Sequence, residues 1–359
     1  MSHKKHLFRF AVFTVVGIAA VNTQAGLYQI IDLGALGGTY SRAYDINNSG
    51  QAAGFSYNTQ SNDRGVYWDS SGQMSDVGTL GGAESRAYSI NDAGQVVGRA
   101  QTQSGAIHAF RWQNGTISDL GTLGGLSSQA WANNNAGQVA GVAQREDGIS
   151  HAALWDVDGI SDLGTLGGSY SIAYGINSFS AVVGSAQDQF GADRAFLWEN
   201  QQMTQLTDLP SSSWSTARAI NDLAQAVCWI GYDGGRTASY LWDDGSVFDL
   251  GGFGGNETWA YGLNDLGHSV GWSENVDGTY QAFMHDGSSM FNLGTLGGAF
   301  SAAYGINNDG VIVGRAQDVD GYTHAVKWVL VPEPSTLLVL VFGALILRGN
   351  KVIHDNCKG

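Results

Sequence analysis

Between residues 26 and 331 the apolar and polar positions alternate in short runs cut by Gly, Asn and Asp. Residues 76–118 show the pattern. Ser85–Ile90 alternates and stops at Asn91-Asp92-Ala93-Gly94, a turn that needs a left-handed residue. Gln95–Ala100 reads as a second strand, Gln101–Gly105 as a polar loop and His108–Trp112 as a third strand. Asn114-Gly115 then turns the chain into a fourth, Thr116–Leu120. Nothing in this region keeps a helical period over two turns.

The pattern repeats. The phrase DLGTLGG-x3-S-x-AY-x-IN-x-x-G-Q-V-V-G recurs, and the Asn closing its first half falls at Asn47, Asn91, Asn134, Asn177, Asn221, Asn264 and Asn307. A Trp follows 21 residues later at Trp68, Trp112, Trp155, Trp198, Trp242 and Trp328, with His285 in the sixth slot. Two independent landmarks thus share a period of 43 or 44 residues. Four strands per period, seven times over, predict an all-β fold, a seven-bladed β-propeller whose blades are each one repeat. Tyr28–Leu33 reads as a lone fourth strand, and the last repeat ends at Thr323–Val331 without one. The N-terminal strand is therefore expected to complete the last blade and cover its edge. An open β-solenoid is the alternative, but it would need capping repeats rather than complementary half-repeats at its ends.

Composition narrows the classes. The 359 residues include 52 Gly, 3 Pro, 2 Cys and 11 Trp. So much aromatic surface with so little Pro excludes a disordered chain, and two cysteines exclude a disulfide scaffold. The net charge is −15, and −19 between residues 26 and 331. That excludes nucleic acid as a partner, because phosphate demands a basic face.

Both ends read as addresses. Residues 1–25 carry basic residues from His3 to Arg9, an apolar run Phe10–Val21 and small residues at Thr23 and Ala25. This is the pattern of a secretory signal peptide cut after Ala25, with a retained membrane anchor as the alternative. Residues 332–359 open with Pro332-Glu333-Pro334, continue with the apolar Leu337–Leu347 and reach Arg348 and Lys351. The segment resembles the PEP-CTERM sorting tail. The resemblance implies transient holding in the inner membrane by that segment, processing by an exosortase-type enzyme, and an envelope or extracellular destination. If the tail is removed, Cys357 leaves with it and Cys228 is alone.

The repeat itself resembles the HAF-repeat family of extracellular proteins, through His108-Ala109-Phe110 and its variants His151-Ala152-Ala153 and His324-Ala325-Val326. That resemblance implies secretion and names no reaction.

Function is expected where the repeat breaks. The second-strand glycines (Gly54, Gly98, Gly141, Gly184, Gly271, Gly314) are read as letting neighbouring blades approach, and the recurring Trp as filling the gaps between them. Repeat five replaces its DLGTLGG loop with Gln205–Pro210 and its glycine with Cys228. Trp214, Trp229, Trp259 and Trp272 lie in repeats five and six, outside the framework. Trp229 and Trp272 share one repeat position, which Arg99 and Arg315 fill in repeats two and seven. These four Trp form the candidate ligand patch, since aromatic faces stack on pyranose rings. Filling volume left by lost Gly and Leu is the alternative.

Acidic turns such as Glu146-Asp147-Gly148 and Asp318-Val319-Asp320-Gly321 lack the spacing of a calcium loop. They read as solvated turns. His108, His151 and His324 sit on separate blades and do not converge on zinc. No nucleophile elbow, phosphate loop or zinc-protease motif is present, and the GTLGG segments precede strands rather than helices. No catalytic residue, metal or cofactor is assigned. The expectation is an exported, non-enzymatic envelope or matrix protein that binds an extracellular polysaccharide or a surface protein. The alternatives are a purely architectural protein, or a propeller lyase or hydrolase using the inner strands, which offer Arg42, Asp45, Arg86 and Arg218.

Overall fold

The computed structural model describes residues 28–206, 209 and 212–331. The cleavage site at Ala25 and the motif Pro332, Glu333, Pro334 and Arg348 lie outside the described residues. Among the described residues the regular elements are strands, and no helix is long and apolar enough to cross a membrane.

The strands form antiparallel groups of four that follow the sequence repeat. In the second repeat Gly81–Ile90, Val96–Thr102, Ile107–Gln113 and Thr116–Gly121 pair in that order. The inner strand is longer than the alternation predicts. Gly81 takes φ 103° and pairs with Thr102, so glycines that read as loop already belong to the ladder. Single parallel bridges, Tyr40 to Thr323 and Thr237 to Glu257, connect neighbouring groups.

The last repeat contributes Gly297–Ile306, Ile312–Asp318 and Thr323–Leu330, and Tyr28–Asp32 adds the fourth strand. That strand runs antiparallel, with Tyr28 opposite Leu330 and Asp32 opposite Val326. A motif shared with other groups holds it. His108 pairs with Asp119 at 2.8 Å and His151 with Asp162 at 2.8 Å. His324 pairs with Asp32 at 2.9 Å. The His of the HAF tripeptide and the Asp of the DLG phrase thus fasten the third strand to the fourth.

Between groups the framework Trp pack as expected. Trp68 joins Leu33, Ala43, Val313 and Ala325, and Trp328 joins Val270, Leu293 and Ile312. Both indoles are essentially inaccessible, whereas Trp198 and Trp242 are half-buried.

The second-strand glycines correct an expectation. They admit a close approach, but within one sheet rather than between groups. A Cβ on Gly98 would lie 2.0 Å from the carbonyl oxygen of Arg86, on the inner strand of its own group. The cause is a β-bulge there: the register shifts between Ala87 and Ser89, and the crowded backbone leaves no room for a side chain.

The landmark Asn is a four-way fastener. Asn134 Oδ1 accepts the backbone N–H groups of Ala136 and Gln138 at 3.1 and 3.0 Å. Its Nδ2 donates to Gln138 Oε1 at 2.8 Å and to the carbonyl of Asn177, one repeat on, at 3.0 Å. The inter-repeat bond recurs from each landmark Asn to the next, and Asn307 donates to the carbonyl of Asn47 at 3.1 Å. A buried amide with all these partners is satisfied, and that satisfaction fixes the residue type.

Candidate functional site

The bulge in each inner strand pushes one extra side chain inward, three residues before the landmark Asn. In chain order these are Tyr44, Tyr88, Trp131, Tyr174, Arg218, Tyr261 and Tyr304. All line one cavity of about 370 Å³. The aromatic members touch edge to edge or face to face. Tyr304 and Tyr44 lie 5.5 Å apart, Tyr44 and Tyr88 5.3 Å, Tyr88 and Trp131 4.4 Å, Trp131 and Tyr174 5.6 Å, and Tyr261 and Tyr304 5.0 Å. Between Tyr174 and Tyr261 the place is taken by Arg218. Its guanidinium stands 3.8 Å from the Tyr174 centroid, 4.5 Å from Trp229 and 5.6 Å from Tyr261.

One residue before each Asn, the side chains Ile46, Ile90, Asn133, Ile176, Ile220, Leu263 and Ile306 make a mostly aliphatic waist. Beyond it a second cavity of about 180 Å³ is lined by the landmark Asn and the residues that follow them, including Asp92, Asp222 and Asp265.

Charge within the larger cavity is uneven. Arg42 donates to the hydroxyl groups of Tyr44 and Tyr40 at 3.1 and 2.5 Å. The charged or titratable groups facing Arg42 and Arg218 are tyrosines. Neither guanidinium makes an ion pair among the described residues, and the Nε of each has no acceptor. Removal from water lowers the Arg218 pKa. Asp45 also lines the cavity, but its oxygens accept from Ile46 N, Ser89 Oγ and Ile90 N at 2.8, 2.7 and 3.0 Å. Burial raises its pKa. Arg86 is held elsewhere, by Asp63. Of the four inner-strand charged residues flagged in the sequence, three therefore meet in one cavity, and no acid–base pair forms.

The structure brings the four candidate Trp together. Trp214 stacks on Trp259 at 6.0 Å and Trp259 on Trp272 at 5.9 Å. Trp229 meets Trp259 edge-on at 4.7 Å and donates its Nε1 hydrogen to the Ala260 carbonyl. Tyr280 extends the row at 4.8 Å from Trp272. Gly231 is what lets Trp214 lie over its neighbour strand, since a Cβ there would be 2.1 Å from the indole nitrogen. All four indoles are half-buried, so each packs along one side and keeps another toward solvent. Next to the row, Trp272, Tyr280, Phe300 and Arg315 line a hollow of about 240 Å³. Trp229 touches both the row and Arg218, and so stands between row and cavity.

The acidic turns spend their carboxylates on their own backbone. Asp318 accepts from Asp320 N and Tyr322 N, and Asp188 from Phe190 N and Ala192 N. Among the described residues no group of three His, Cys, Asp or Glu is placed to hold a metal ion. Cys228 is fully buried, and burial pushes its thiol up to about 12. In a Cys357→Ser chain, Ellman's reagent at pH 8 is therefore expected to label Cys228 only after denaturant is added. Stoichiometric labelling of the native protein would contradict this burial.

No protein-family model and no curated protein matches this sequence. Solved structures do resemble it. The β-propeller domain of the Trilobed protease from Pyrococcus furiosus matches with 9% identity and a TM-score of 0.57, over 80% of this chain and 95% of that one. A Mycobacterium tuberculosis puromycin-hydrolyzing peptidase matches with 11% identity and a TM-score of 0.57, over 84% of this chain and 53% of that one. TolB from Acinetobacter baumannii matches with 14% identity and a TM-score of 0.50, over 68% of this chain and 63% of that one. The chain thus spans about half of the peptidase and less than two thirds of TolB. The fold is a β-propeller.

Proposed function

We propose that this chain is an exported, non-enzymatic seven-bladed propeller, closed by its N-terminal strand, that binds glycan at the cell envelope or in the extracellular matrix. Support for seven blades and closure comes from the asparagine bonds that run through every repeat and return from Asn307 to Asn47. Export and sorting rest on the two terminal signals and on the HAF and PEP-CTERM resemblances. In that reading an exosortase-type enzyme processes the tail.

One observation carries the binding role: the contiguous row Trp214, Trp259 and Trp272, half-open to solvent beside an apolar hollow. An aromatic surface of this kind, half-open to solvent, marks an interaction site, and the indole surface that the row leaves uncovered can meet the apolar face of a sugar ring. Screening the full chain on a glycan array, followed by titration of the best polysaccharide, tests the reading. Trp272→Ala and Trp214→Ala are each expected to weaken binding about tenfold, in line with roughly 1.5 kcal/mol for a lost stacking partner. Their melting temperatures should fall by only a few degrees. Unchanged binding in both variants would reject the row as the site.

A further inference from the structure

We propose that the central cavity is a second site, which takes a hexuronate: its carboxylate on the Arg218 guanidinium, its ring on the aromatic wall. The sugar half of this inference rests on the glycan-binding reading above. The carboxylate half stands on the cavity alone.

The Arg218 guanidinium lines the cavity. Its Cζ lies over the Tyr174 ring at 3.8 Å and over the Trp229 ring at 4.5 Å. Aromatic faces satisfy the faces of the ion. They do nothing for its five N–H donors, which lie in its plane. The Nε of Arg218 has no acceptor, and neither has the Nε of Arg42 in the same cavity. A guanidinium that lines a polar cavity with no carboxylate partner is complementary to a carboxylate ligand.

The surroundings select further. Asp45 turns its oxygens to three neutral donors and pairs with neither guanidinium among the described residues. The wall is mostly tyrosine, so it offers ring faces for stacking and hydroxyl groups for a polyol. At about 370 Å³ the cavity falls within the size range of small-ligand pockets. An aliphatic carboxylate would leave the ring faces unused, and a neutral sugar would leave the guanidinium edge bare.

Position supports function over packing. Six of the seven equivalent positions are aromatic and one is arginine. An aromatic residue is the local structural solution, and a charge there needs another reason.

Full-length protein is titrated with D-glucuronate, D-glucose, benzoate and inorganic sulfate at one ionic strength, read by calorimetry and by intrinsic tryptophan fluorescence. Arg218→Tyr restores the residue type of the other repeats. Arg64→Gln removes a guanidinium that pairs with Asp76 outside the cavity. Glucuronate is expected to bind at least about tenfold more tightly than glucose, benzoate or sulfate. Arg218→Tyr should reduce it to the level of glucose with an unchanged or higher melting temperature, and Arg64→Gln should retain it. Equal binding of glucuronate and glucose, tighter or equal binding of sulfate or benzoate, or full retention in Arg218→Tyr would each overturn the proposal. If glucuronate fails while polysaccharide binding still depends on Trp272, the cavity proposal falls alone. If no polysaccharide binding depends on Trp272 while glucuronate depends on Arg218, the row fails and the cavity stands.

Discussion

Removing Tyr28–Leu33 is expected to cost the protein most of its stability, although these residues are six of 359. Tyr28 and Ile30 pack on the cluster that contains Trp328, and Leu33 sits inside the cluster around Trp68. The Leu33 carbonyl also accepts the Trp68 Nε1 hydrogen at 3.0 Å. Loss of a buried Leu alone costs about 2–5 kcal/mol, against a total of about 5–15 kcal/mol for a typical domain. Deletion would further strip five paired positions from Thr323–Leu330 and leave an open edge prone to pairing with other chains. A thermal melt should show a drop of at least about 10 °C, with aggregation. A shift within about 3 °C would mean that the strand is ornamental.

The second large effect is expected at Asn134. Asn134→Ala orphans the N–H groups of Ala136 and Gln138 and the carbonyl of Asn177. At about 1–3 kcal/mol for the buried Asn177 carbonyl left unsatisfied and about 0.5–1.5 kcal/mol for each turn bond lost, the loss should reach roughly 2–5 kcal/mol in urea unfolding at pH 7. Asn134→Asp is more informative. It keeps both acceptors but turns a carboxylate oxygen toward the Asn177 carbonyl. Burial and that carbonyl favour the protonated form, so the folded-state pKa lies above the unfolded ~3.9. Stability from such a group is present in acid and lost as pH rises through the raised value. Relative to the parent at each pH, Asn134→Asp should be mild at pH 4 and severe at pH 7. Equal penalties at both would show that the bond to the next repeat carries little energy.

Much of this architecture is legible in the chain. The period, the four strands per repeat and the missing fourth strand of the last one follow from landmarks that recur at fixed spacing. The Gly-Gly that opens six of the seven inner strands misleads, because glycine usually signals a loop and here supplies a positive φ inside a ladder. The second-strand glycines mislead differently: their requirement for closeness is readable, but the bulge that causes it is not, since a bulge leaves no composition of its own. The gathering of Trp214, Trp229, Trp259 and Trp272 is foreseeable from equivalent positions in sequential repeats. The aromatic ring is harder to see. Tyr44, Tyr88, Trp131, Tyr174, Tyr261 and Tyr304 look like ordinary strand aromatics until the bulge turns them onto one axis. Aligning the repeats on their Asn, where Arg218 stands alone in a column of rings, is the signal that would have found the cavity.

The position of the N-terminal strand has a mechanical corollary. Tyr28 faces Leu330 at the outer end of an antiparallel pair, so the chain enters and leaves the fold at nearly one point. A force that pulls the two ends apart would open that pair like a zipper, one hydrogen bond at a time. A tether acting through one end only, with drag spread over the rest of the molecule, does not pull the two strand ends in opposite directions. Such a molecule can hang from a single attachment while that seam stays unloaded.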